Sequence, residues 1–225
     1  TSDSLLELNE LDLDNFSLTL GSDYSDLKVN NDLIMDHDNE KLISGNADLE
    51  FSGMLSISEG EISSTGGSIS MSKSLSLSGG TLSISSGTFS LGGVFNKNGG
   101  NLFLNDTTLS LLSDLQWSSD TLLEIKELQL NDNTLNLVDQ FSDLKIISPL
   151  TLDHSDEKLI SGPADLEFSG LVIISAGELS SNGGVVIFDQ GLNQSGGKVE
   201  IFNSSLLFGL ELSLIHISEP TRRSD

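Results

Sequence analysis

Residues 79–93 read GGTLSISSGTFSLGG. Leu82-Ser83-Ile84 and Thr88-Phe89-Ser90-Leu91 alternate apolar with small polar residues, and glycine bounds them. Period two places every second side chain on one face of a β-strand. The same texture runs outward through Ser68-Ile69-Ser70-Met71, Leu75-Ser76-Leu77, Asn101-Leu102-Phe103-Leu104 and Leu128-Gln129-Leu130. Gly53, Gly60, Gly67, Gly80, Gly87, Gly93 and Gly100 mark corners at steps of 7, 7, 13, 7, 6 and 7 residues. Helical i, i+3, i+4 spacing is absent, and Ser, Asn and Gly are poor helix formers. Strands this short, joined by such corners, leave little room for sandwich loops. They suit an all-β parallel β-helix (β-solenoid), in which each coil pairs its backbone with the coils above and below. Three strands of about seven residues predict roughly 20 residues per coil, with a two-sided coil of about 14 as the variant.

A longer period overlies the short one. DHDNEKLISGNADLEFSG begins at Asp36 and DHSDEKLISGPADLEFSG at Asp153, an offset of 153 − 36 = 117. The same offset pairs Leu5–Leu11 with Leu122–Leu128, and Tyr24–Val29 with Phe141–Ile146. A long internal period is the signature of a repeat architecture. The expected organisation is one solenoid over residues 1–211, made of a copy at 1–117 and a truncated copy at 118–211. The rival is a tandem of β-sandwich domains, for which such a length is ordinary. No proline-rich or charged linker separates the copies, which favours the solenoid.

The net charge of −24 argues against nucleic acid and anionic membranes as partners, because phosphate binding needs clustered Lys and Arg. With no cysteine there is no disulfide and no thiol chemistry. No apolar run is long enough for a membrane-spanning helix, so membrane insertion is not expected.

GGTLSISSGTFSLGG is similar to repeats in autotransporter passenger regions and in filamentous-haemagglutinin-like adhesins of bacteria. The resemblance is one of texture and covers about residues 53–109 and their second copy. It implies a fragment of a secreted, extracellular or cell-surface protein, a stiff acidic stalk that presents an adhesive tip elsewhere in a longer chain. Its implied partners are flanking repeats of the same chain and host or surface glycan. From Leu212 the text LSLIHISEPTR resembles a translated sequencing adapter, and the only arginines, Arg222 and Arg223, lie there. Residues 212–225 are therefore read as an artefactual tail and left out of fold reasoning.

The candidate chemistry lies in two acidic loops, Asp36-His37-Asp38-Asn39-Glu40 and Asp153-His154-Ser155-Asp156-Glu157. Closely spaced carboxylates are the ligand type of hard cations, and calcium is the cofactor they would suit. The candidate ligands are Asp36, Asp38, Glu40, Asp153, Asp156 and Glu157. The competing reading is a solvated turn, in which Asp and Asn serve the backbone. An EF-hand spacing and the GGxGxDxUx repeat are both missing. Asp12 and Asp14 add carboxylates near the first loop, but their counterparts, Gln129 and Asn131, lose the charge. His37 and His154 lack an HExxH or cysteine partners. A polysaccharide-cleaving β-helix is the enzymatic alternative. It would need a basic residue beside the carboxylates, whereas the lysines are scattered, so no catalytic residue is assigned.

The alternation predicts an inward stack of Leu49, Phe51, Leu55, Ile57, Ile69, Leu75, Leu77, Leu82, Ile84, Phe89 and Leu91. Leu166, Phe168, Val172, Ile174, Val186, Leu192, Ile201 and Leu206 are expected to sit alike. Phe95, Phe103 and Phe188 are read as core, and Trp117 as core or seam.

Overall fold

The computed structural model describes residues 4–21 and 25–209, and among them every regular element is a β-strand. All strand pairs are parallel, and the chain winds as a three-sided solenoid. The first face stacks Ser4–Leu8, Ser25–Val29, Leu49–Phe51, Ile69–Met71 and the opening residues of Thr88–Lys97 and Thr108–Ser119. The second stacks Leu33–Met35, Leu55–Ile57, Leu75–Leu77 and the closing residues of the same two long strands. The third stacks Ser17–Thr19, Lys41–Gly45, Glu61–Ser64, Thr81–Ser85 and Asn101–Asn105. Leu49 pairs with Ile69, Ile69 with Phe89 and Phe89 with Leu109, so a coil is 69 − 49 = 20 residues here. That settles the three-sided coil over the two-sided variant.

Inward side chains form apolar columns. Leu33, Leu55, Leu75, Phe95, Trp117 and Leu137 occupy successive rungs, all buried. Phe95 and Trp117 stack with ring centroids 3.9 Å apart, and Phe168, Phe188 and Phe208 stack at 5.2 and 5.6 Å. Such stacking adds to the burial of the rings themselves. Every residue of the inward stack expected from Leu49 to Leu91 is buried, as are Leu166, Phe168, Val172, Ile174 and Val186 of the second copy.

Some core expectations need correction. Phe103 is 49% exposed. It pairs with Ser83, while Leu102 and Leu104 pair with the inward Leu82 and Ile84, so the phase of the strand turns Phe103 outward. Leu206 is 44% exposed, and Leu192 and Ile201 are only partly buried. These three lie in the last described coil or just beneath it, where no further described coil covers the column.

Aspartates hold the corners. Asp26 Oδ1 accepts the Asp48 N–H at 3.0 Å, and Asp48 Oδ1 accepts the Ser68 N–H at 2.6 Å and its hydroxyl at 2.9 Å. One repeat later, Asp143 accepts from Asp165 N at 2.8 Å and Asp165 from Val185 N at 2.7 Å. Asp32 and Asp114 do the same for Met54 and Thr134. Each carboxylate satisfies a corner N–H of the next coil. Part of the acidity is therefore a repeated structural device.

The junction between copies turns the second copy relative to the first. Lys41–Gly45 lies on the third face, between Ser17–Thr19 and Glu61–Ser64. Its equivalent, Lys158–Ser161, continues the second face through Thr134–Leu137 and Thr108–Ser119. The column Leu27–Leu49–Ile69–Phe89–Leu109–Leu128 climbs five coils in 128 − 27 = 101 residues. The remaining 117 − 101 = 16 residues fall about one face short of a sixth coil. The repeat is therefore non-integral in coils. Among the described residues, the first-face ladder ends at Glu127–Gln129 and the third-face ladder at Asn101–Asn105. New ladders begin at Leu123–Ile125 and Leu150–Leu152. Only the second-face ladder crosses the junction, inside a path of ten strands from Ser4–Leu8 to Lys198–Phe202.

Candidate metal centre

The acidic loops connect the second face to the third in the first copy, between Leu33–Met35 and Lys41–Gly45. Each loop closes on its own glutamate. Glu40 is buried, and its Oε2 accepts the N–H groups of Asp36 at 2.8 Å and His37 at 3.2 Å. Glu157 is buried too, and its Oε2 accepts those of Asp153 at 2.9 Å and His154 at 3.2 Å. The Glu40 amide donates to the His37 carbonyl at 3.1 Å, and Glu157 to His154 at 3.2 Å. A carboxylate turned back onto two adjacent N–H groups is a loop closure, and it explains why the acid stands at this fixed place in both copies.

A glycine from the next coil clamps each loop. Gly60 has φ +74°, and a Cβ there would stand 2.5 Å from the Glu40 carbonyl oxygen and 3.1 Å from that of His37. Gly177 has φ +70°, with the Glu157 and His154 oxygens at 2.6 and 2.9 Å. Both the dihedral and the close approach require glycine.

Within this frame Asp36, His37 and Glu40 bring one ligand atom each within 4.8 Å of one another. His37 Nδ1 lies 2.8 Å from Asp36 Oδ1 and 3.7 Å from Glu40 Oε1. Asp38 is exposed and is not part of that group. The second loop is arranged differently. His154 Nδ1 lies 3.3 Å from Asp132 of the coil below and 3.9 Å from Asp156. The difference follows from the sequence, since Asp132 occupies the repeat position of Asn15 (132 − 117) and Ser155 that of Asp38. Asp153, Asp156 and Glu157 are not gathered as a ligand trio. Asp12 Oδ1 accepts the Asp14 N–H at 3.1 Å, a local turn contact. Asp14 and Asn15 have positive φ, as do their equivalents Asn131 and Asp132, which assigns these acids and amides to a turn.

Lysines on the outer faces form rungs with glutamates. Lys28 Nζ lies 2.8 Å from Glu50, and Lys145 lies 2.8 Å from Glu167 and 3.8 Å from Glu124. Lys198 lies between Glu200 at 2.8 Å and Glu178 at 3.4 Å. The hydrogen bond to Glu50 leads in raising the Lys28 pKa, that to Glu167 does so for Lys145, and that to Glu200 for Lys198.

One polar feature escaped the sequence reading. Lys97 points inward, on the rung above Leu77 and below Ser119, with its side chain 3% exposed and its ammonium on Asp120. The signal was its phase, two residues beyond the inward Phe95.

No protein-family model matches the chain, and neither the curated proteins nor the solved structures provide a match.

Proposed function

We propose that this chain is a mechanical segment, a stiff acidic stalk in a secreted bacterial surface protein, with no catalytic role of its own. The observation that carries this reading is the second-face ladder of nine parallel strands, from Leu33–Met35 to Lys198–Phe202, which runs through both copies. At about 4.8 Å per coil its first and last strands stand about 38 Å apart. The backbone pairs along the rod axis, so extension loads hydrogen bonds and packed columns together. The adhesin-like texture of the repeats supports a surface location, and the charge of −24 opposes lateral association of like rods.

A second reading, a calcium-binding adhesin module that itself engages glycan or a partner cell, is favoured by the Asp36–His37–Glu40 group. It ranks lower because Glu40 Oε2 already closes the loop and the second copy does not repeat the group. Calcium titration followed by calorimetry, together with glycan-array binding of the purified chain, separates the two. The stalk reading expects no calcium heat beyond that of magnesium and no saturable glycan binding. Saturable glycan binding that needs calcium would overturn it.

A further inference from the structure

We infer that Lys97 and Asp120 are a modification site, at which the Lys97 amine and the Asp120 carboxyl condense into an intramolecular amide. Lys97 stands in a column that is otherwise apolar below it, above Met35, Ile57 and Leu77. Its side chain is 3% exposed, whereas the ion-paired lysines of the outer faces range from 25% to 52%. Asp120 lies in the next coil and meets the Lys97 ammonium directly. Both line one open groove of about 600 Å³ with Ser118, Asp139, Phe141 and Pro163, and Asp120 is 44% exposed.

Three physical arguments favour condensation. The reacting groups are held together by two stacked coils, and such positioning is worth effective molarities of about 10⁵ M or more in well-oriented cases. Burial penalises the charged ammonium, and conversion to an amide removes both charges. The site also lies at the junction, where two of the three ladders are interrupted and a covalent tie would carry axial load. The reaction needs no other reactant. A proton passes from the ammonium to the carboxylate. The freed amine then adds to Cγ, and the hydroxyl leaves as water with a second proton from the nitrogen. One C–N bond forms, one C–O bond breaks, and the charge is conserved.

Intact-mass spectrometry of the purified chain reads the outcome. The expected mass is lower than the sequence mass by one water, and digestion yields a branched peptide joining residues 97 and 120. Lys97→Ala and Asp120→Ala are each expected at their own full sequence mass. A wild-type chain at its full sequence mass overturns the proposal without reference to how the variants fold. A water loss that persists in either variant overturns it as well, because the lost water would then come from another site.

Discussion

Lys41 and Lys158 hold the same place in the repeat but lie on different faces of the rod. Lys41 pairs with Ser17 below and Glu61 above, and Lys158 pairs with Thr134 and Glu178. The two acidic loops therefore project from different edges, separated along the axis by about five and two-thirds coils, or about 27 Å. No partner can engage both loops by sliding along one face. The repeat conserves coil chemistry while it changes direction.

The glycine clamps are testable singly. Gly60→Ala and Gly177→Ala place a Cβ against a backbone carbonyl at positive φ. Each is expected to destabilise the chain by about 1–3 kcal/mol. Gly162→Ala meets only the Leu137 oxygen at 3.7 Å, without positive φ, and is expected to stay within about 0.5 kcal/mol. Urea unfolding of the three variants checks the contrast. Equal effects at all three positions would remove the clamp argument.

Two phenylalanines that the sequence reading places in the core are expected to behave oppositely. Phe51 is 1% exposed and Phe103 is 49% exposed. Phe51→Ala is expected to cost about 3–5 kcal/mol, and Phe103→Ala under about 1 kcal/mol. Thermal melts distinguish them.

Removing a corner carboxylate leaves an N–H of the next coil without its charged acceptor. Asp48→Ala and Asp165→Ala are expected to cost about 1–2 kcal/mol each. Asp38→Ala, at an exposed position outside the loop closure, is expected to be near neutral. Chemical denaturation measures all three, and a neutral Asp48→Ala would refute the corner role.

The Lys–Glu rungs set an alkaline limit. Lys28, Lys145 and Lys198 have folded pKa values above their ordinary 10.5. A raised folded pKa means that their stabilisation is complete below 10.5 and is lost as pH rises through the higher folded values. The melting temperature is expected to fall between about pH 10 and about pH 12, less steeply in Lys28→Met and Lys145→Met. An unchanged alkaline slope in those variants would show that the rungs contribute nothing.

The fold was legible because alternation and glycine spacing act locally. Leu82, Ile84 and Phe89 point inward for the reason their order suggests. Phe103 was not legible, since Leu102-Phe103-Leu104 is apolar throughout and only the neighbouring rung sets its phase. Lys97 was hidden because a lysine is read as solvated until its strand phase is fixed by Phe95. The loops were legible as acidic, but not their internal division. Glu40 faces inward as a loop closure while Asp38 stays outside, and that follows from backbone geometry. The turn between copies follows from a ratio, 117 residues against a coil of about 20, which the sequence contains but no local motif displays.

The most direct test of the central claim, one ladder carried through both copies, is a cysteine pair across the junction. Gln116, in the first copy, and Asn136, in the second, are partners on adjacent coils, at a spacing that a disulfide can bridge, and the chain has no cysteine of its own. Mild oxidation of the folded Gln116→Cys/Asn136→Cys double variant is expected to give a rapid, quantitative intramolecular disulfide, read by non-reducing electrophoresis and mass. Free thiols or only intermolecular dimers under those conditions would contradict the continuous rod.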